Sequence, residues 1–157
     1  ASGLAYTILR MNWYTENYLQ QVETARQTGS IVAAVGEGRI ASATRADLAA
    51  GIVAVLTGAG HAGQVYEFGG DYAWNFHELA AAISEVLGRP VTYQPVDGAT
   101  LIEILNGVGL DEGTAGFVAA LDANIAAGAL EETTGDLSRL IGRPTTSLVA
   151  GLRAGAG

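Results

Sequence analysis

The sequence predicts an α/β fold, the second half of a parallel sheet followed by a mostly helical lobe. Short apolar, β-leaning segments alternate with helical ones as far as Val96, and helical pattern dominates afterwards. The first of these segments is apolar throughout, the mark of a strand in a parallel sheet, yet nothing upstream could pair with it. AVILMFWYC make up 49% of the 157 residues and charged residues only 15%, enough for a real core.

Tyr6–Arg10 reads as a buried strand. Thr15–Thr28 reads as a helix stopped by Gly29, with Tyr18, Leu19, Val22 and Ala25 as its thin apolar side. Ile31–Val35, Gly36-Glu37-Gly38 and Ile40–Ala43 read as strand, turn and strand. A helix opens at Thr44 or Arg45 and runs to Thr57, with Asp47 in its first turn and a packing face of Ala46, Ala49, Ala50, Val53 and Ala54. Gln64–Phe68 is the next strand. Asn75 and Glu78 form a capping-box pair before a helix with Leu79, Ala82, Ile83, Val86 and Leu87 on its apolar stripe. Val91–Val96 is the last strand. Helices then follow over 99–107, 112–127 (with Phe117, Val118, Leu121 and Ile125), 137–141 and 146–154, with a soft tail from Gly151.

Composition excludes several function classes. Eight Lys+Arg against 16 Asp+Glu leave a net charge of −8, unsuited to a nucleic-acid backbone or an anionic membrane surface. The absence of Cys removes disulfides, thiol nucleophiles and Cys-ligated metals, and fits a cytoplasmic setting. No apolar run reaches the ~18 residues of a membrane span, and Ala1–Tyr6 lack the basic start of a secretion leader. The apolar excess points to an uncovered partner surface and leaves room for a homo-oligomer.

Gly58-x-Gly60-x-x-Gly63 matches a dinucleotide fingerprint in letters only. That motif follows a strand and opens a helix; here a helix precedes and a strand follows, so it reads as an ordinary connection. His61 and His77 read as surface histidines without metal-ligand spacing, and no G-x-S-x-G elbow is present. Asn12–Tyr18 is denser: two amides and three aromatics at a strand's C-terminal end, where open α/β sheets bind ligands. It reads either as a ring-stacking, amide-bearing site or as a stapled helix start. Arg45 and Asp47 read either as a phosphate-pairing arginine with an acid beside it or as a solvated first turn. Trp74 and Phe76 read as core.

Taken in order, Tyr6-Thr7-Ile8-Leu9-Arg10, Trp13-Tyr14-Thr15-Glu16-Asn17-Tyr18-Leu19, Gly38–Asp47, Val65-Tyr66-Glu67, Val91–Gln94 and Leu140–Thr146 resemble the NmrA-like atypical short-chain dehydrogenases, in particular their bacterial NAD(P)H:quinone oxidoreductases. The resemblance spans essentially the whole chain but only the C-terminal part of that fold. It implies a Rossmann-type NADPH-binding half that lies upstream and is missing here, then a substrate half. Residues 1–70 would complete the Rossmann-like sheet and 71–157 would form the helical substrate lobe.

The resemblance further implies an enzyme passing a hydride from NADPH to a quinone, or a non-catalytic redox sensor that binds dinucleotide and a protein partner. By position, Asn12, Trp13, Tyr14, Thr15, Glu16 and Asn17 match the stretch along the nicotinamide. Asn17 matches the amide nearest the reacting ring, Trp13 and Tyr14 the pocket mouth, and Arg45 an arginine near it. Asn17 and Tyr14 are thus the expected catalytic pair. Met11-Asn12 departs from the relatives' Asn-Gly, placing a side chain where they have none. The chain has no Lys, so the Tyr-x-x-x-Lys pair of ordinary short-chain dehydrogenases cannot come from it. Without the phosphate-binding half, the chain alone is expected to bind NADPH weakly and turn over little.

Overall fold

The computed structural model describes residues 3–156; Ala1 and Ser2, in the segment expected to lack a leader, lie outside the described residues. Four strands, β1 (Ile8–Met11), β2 (Ser30–Ala33), β3 (Val65–Phe68) and β4 (Thr92–Pro95), form two parallel pairs, β1–β3 and β2–β4. The helices are α1 (Leu19–Thr28), α2 (Arg45–Thr57), α3 (Phe76–Leu87), α4 (Gly98–Gly107), α5 (Glu112–Ala126), α6 (Asp136–Ile141) and α7 (Leu148–Gly155), with a 3₁₀ turn at Thr15–Tyr18 before α1. Mixed α/β architecture with parallel strands is therefore what the alternation foretold.

The helix ends follow their capping residues. Asn75 and Glu78 make both bonds of the capping box on α3. Gly29 and Gly88 end α1 and α3 at φ of 77° and 66°, a left-handed turn that costs glycine nothing. Thr44 caps α2 by accepting from the Asp47 amide.

The main core gathers Tyr18, Val22, Ile31, Ile83 and Leu152 around the edge-on Tyr18–Trp74 and Tyr18–Phe76 pairs. A smaller core of Leu48, Phe68 and Leu137 lies between α2, β3 and α6. The β2–β4 sheet draws its strands from both sides of residue 70.

Four expectations fail for identifiable reasons. The first strand is not buried: Ile8 and Met11 stay 44% and 39% exposed, because among the described residues β1 has a neighbour on one edge only. Residues 40–43 make no strand ladder; Ile40 bridges Trp74 and Leu130, and Ala43 bridges Tyr14, so the segment is a buried seam with three partners. The alanine face of α2 points outward and leaves Val53 56% exposed, since Leu48 and Gly51 face Phe68 and Leu137 instead. On α5, by comparison, Ala115, Asp122 and Ile125 turn inward and Phe117 is exposed. Gly151 also begins no soft tail. It is buried in α7, where a Cβ would stand 2.9 Å from the Thr15 methyl.

Candidate functional site

The site is built on the C-terminal end of β1. The Asn12 amide donates to the Phe68 carbonyl (3.0 Å), the last bond of the β1–β3 ladder, and the chain then leaves the sheet. Its next two crossings are to the 40–43 seam, where the Ala43 amide donates to Trp13 O and the Thr15 amide to Ala43 O. The Asn17 amide closes back on Tyr14 O (3.0 Å), forming the 3₁₀ turn. Backbone hydrogen bonds thus hold this segment along its length, and within 12–17 Thr15 is the one fully buried side chain.

Thr15 is the inward one. It is buried, its hydroxyl shares a 2.9 Å hydrogen bond with Ser42, and Ser42 accepts from Trp74 Nε1 at 3.0 Å. Glu16 reaches sideways and its carboxylate accepts from the Arg45 amide (2.9 and 3.2 Å), satisfying the first turn of α2. Asn12 is committed as well: Nδ2 donates to Leu130 O, and Oδ1 accepts from the Trp13 amide. That leaves Asn17 exposed, while Trp13 and Tyr14 are half-buried, Trp13 packed against the main core and Tyr14 against the smaller one, each with an edge open to solvent.

Two open grooves share Met11 and Tyr14. One, of about 420 Å³, is completed by Asn12, Trp13 and Asn17. The other, of about 440 Å³, is walled by Leu48, Ala49 and Ile52 of α2, with the Arg45 guanidinium 5.5 Å from the Tyr14 ring centre. Asn12–Asn17 and Arg45 are therefore brought into one region. Leu48 and Ile52 had given no sign of it, because apolar residues on a helix do not announce which groove they wall. A further cavity of about 600 Å³ lies between Tyr72, Trp74, Thr145 and Leu148, remote in sequence from the first segment.

Asp47 is neither a phosphate site nor a solvated residue. It is fully buried, accepting from Arg143 Nη2 (2.6 Å) and the Thr146 amide (2.7 Å). Burial alone would raise its carboxyl; the Thr146 amide, Arg143 and the Thr44 hydroxyl outweigh that and hold it below the usual carboxylate range. The reciprocal bonds of Asp71 and Thr145 (2.8 and 2.9 Å) anchor the same loop. His61 bonds the Tyr66 hydroxyl (2.8 Å) and His77 packs edge-on against Tyr93. Among the described residues no cluster of His, Cys, Asp or Glu suits a metal ion, and no helix is long and apolar enough to cross a membrane.

No family model matches the chain. It is 46% identical over 147 residues, 94% of its length, to quinone oxidoreductase 2 of Escherichia coli K12, and 29% identical over 155 residues to an NAD(P)H azoreductase of Xenophilus azovorans. Among solved structures, that of the E. coli NADPH-dependent quinone oxidoreductase with NADPH superimposes with a TM-score of 0.90 at 44% identity. It covers 98% of this chain and 54% of that one. A Citrobacter triphenylmethane reductase gives 0.91 at 32% identity, with the same two coverages. The chain spans about half the length of the curated relatives it matches.

Fold and neighbours together define a class: the chain has the fold of the C-terminal part of Rossmann-like NAD(P)-binding proteins, and the neighbours it matches there are reductases. Within it, the chain is a homologue of the E. coli quinone oxidoreductase over about half of that protein's length, and its structural neighbours are NmrA-like and epimerase-type short-chain dehydrogenase/reductase proteins.

Proposed function

We propose that the chain is the C-terminal part of an NADPH-dependent quinone reductase of the cytoplasm. Residues 1–70 complete the cofactor-binding sheet and 71–157 form the substrate lobe, with the β2–β4 pair tying the two together. The observation that carries this reading is the groove at the end of β1. An aromatic ring (Tyr14), an indole (Trp13) and an outward amide (Asn17) meet there beside a strand edge that no described strand covers. The missing N-terminal half is the natural neighbour of that edge, and exposed Tyr6, Ile8 and Val65 beside it are the apolar surface such a half would cover.

The residues fit the nicotinamide end of NADPH and not its phosphates. Trp13 and Asn17 offer a stacking surface and an exposed amide suited to a carboxamide. Gly58–Gly63 runs from the end of α2 into β3, so no helix N-terminus faces a phosphate there. When bound, NADPH supplies the hydride. Tyr14 and Asn17 hold the quinone against the ring and offer a hydrogen bond to the oxygen on which negative charge develops, while water delivers the proton that completes the hydroquinone. Asn12, Thr15 and Glu16 serve by fixing the backbone of this turn, and Arg45 assists from the second groove.

Titrating NADPH fluorescence tests the division of labour. This chain alone is expected to leave the signal unchanged up to millimolar concentration. The complete protein is expected to bind NADPH at micromolar concentration and oxidise it when a quinone is added. Tight binding by the complete protein without quinone-dependent oxidation would instead support a redox-sensing regulator.

A further inference from the structure

All eight of the chain's cations are arginines, set among 16 carboxylates. Six are in ion pairs, Arg10 with Glu67, Arg26 with Glu23, Arg39 with Glu78, Arg139 with Asp136, Arg143 with Asp47 and Arg153 with Glu85. Arg89 donates to the Ala25 carbonyl. Among the described residues, Arg45 is the one whose guanidinium has neither a carboxylate nor a carbonyl acceptor. In so acidic a chain, that is the least expected state for a cation.

Its position gives the reason. Glu16 takes the Arg45 backbone amide, and the guanidinium lies instead over the Tyr14 ring. It borders a groove whose remaining walls are Met11, Leu48, Ala49 and Ile52, all apolar. A ligand that matches this lining has a flat apolar body for the Tyr14 side and one anionic group for Arg45. A guanidinium binds planar or multi-oxygen anions through paired N–H groups, so carboxylate and sulfonate suit it best. The net charge of −8 repels anions in general, so attraction must come from this local contact.

We infer that Arg45 is a specificity residue that selects quinones, or related planar acceptors, bearing a carboxylate or sulfonate substituent. The inference rests on the quinone-reductase reading and names its substrate class.

The test is equilibrium binding to this chain, followed by quenching of tryptophan fluorescence, Trp13 lying beside the groove. The two probes are anthraquinone-2-sulfonate and its neutral 2-hydroxymethyl analogue. The sulfonate is expected to bind at least about tenfold more tightly at low salt, as a charge-assisted hydrogen bond provides. Added salt should narrow the gap. Arg45→Gln should reduce the sulfonate-to-neutral affinity ratio about tenfold, and Arg45→Lys should restore part of it. An unchanged ratio in Arg45→Gln overturns the inference while leaving the parent reading standing. An Arg45-dependent preference, with no quinone turnover by the complete protein, upholds the inference and removes the parent reading. Failure of both probes to bind overturns the groove as a quinone site.

Discussion

The Asp47 carboxylate and the Arg143 guanidinium, 96 residues apart in sequence, meet at 2.6 Å. The acid is fully buried and the arginine half exposed. Because Asp47 opens α2 and Arg143 precedes α7, this one pair fixes the helix that walls the second groove against the C-terminal lobe.

Removing the buried partner leaves a gap in the network. Asp47→Ala takes the acceptor from the Thr146 amide and one of two acceptors from the half-exposed Arg143, which keeps the Pro144 carbonyl, and is expected to lower the unfolding free energy by about 1–3 kcal/mol. Urea denaturation checks this; a loss under about 1 kcal/mol would make the pair incidental.

The pH dependence of that loss has a definite sign. The folded Asp47 carboxyl titrates below its unfolded value. Its contribution is therefore complete above the unfolded value of about 3.9 and disappears as pH falls through the lower folded value. The stability difference between wild type and Asp47→Asn should stay flat from pH 7 to 5 and shrink below pH 4. A difference that shrinks between pH 7 and 5 would contradict the assignment.

Asp122 behaves in the opposite sense. Burial raises its carboxyl, partly offset by the Ala34 amide that donates to it at 2.7 Å. A raised acid gives its full stability below the unfolded value and loses it as pH rises through the folded one. Asp122→Asn retains an acceptor for Ala34, so it should be at least as stable as wild type at pH 7, with the advantage gone at pH 4. Denaturation at the two pH values decides it; a variant clearly weaker than wild type at pH 7 would refute the sign.

Gly151 touches the site from behind. A Cβ there would press against the methyl groups of Thr15 (2.9 Å) and Thr44 (3.0 Å), the residues beneath Tyr14 and Arg45. Gly151→Ala should cost about 1–3 kcal/mol through overpacking, with Tm as the readout. No change in Tm would mean that α7 moves aside without penalty.

Asn17→Ala probes the proposed chemistry directly. The Asn17 side chain is exposed and stands off the core, so folding should be unaffected. In the complete protein, quinone turnover should fall more than NADPH affinity. Equal turnover would remove Asn17 from the mechanism.

The helices were legible because their signals are local. Asn75 with Glu78, Gly29 and Gly88 carry the instructions for caps within four residues, and the structure uses them as written. What escaped depends on partners far along the chain. Asp47 looks like a solvated helix-start acid until Arg143 arrives, and Ile40–Ala43 looks like a strand until its bonds go to Trp74, Leu130 and Trp13. The outward alanine face of α2 fails for the same reason: small residues pack well anywhere, so they do not say which side Phe68 and Leu137 will occupy. At the candidate site, the sequence brought out the segment 12–17 and Arg45. It could not tell that Thr15 turns to the buried Ser42 hydroxyl and Glu16 to the Arg45 amide, while Trp13 and Tyr14 lie half-buried against the two cores and Asn17 stays exposed.

The parallel strand pairs have a consequence in time. Arg10 meets Glu67 across β1–β3 and Ala33 meets Tyr93 across β2–β4, partners separated by 57 and 60 residues. During synthesis, the β1–β3 bonds must wait until β3 has left the ribosome, and the β2–β4 bonds until β4 has. Each waits through the making of a whole crossover, since parallel strands admit no tight hairpin. Loops of that length must close before any sheet bond repays the lost entropy, so folding should be slow for a chain of this size.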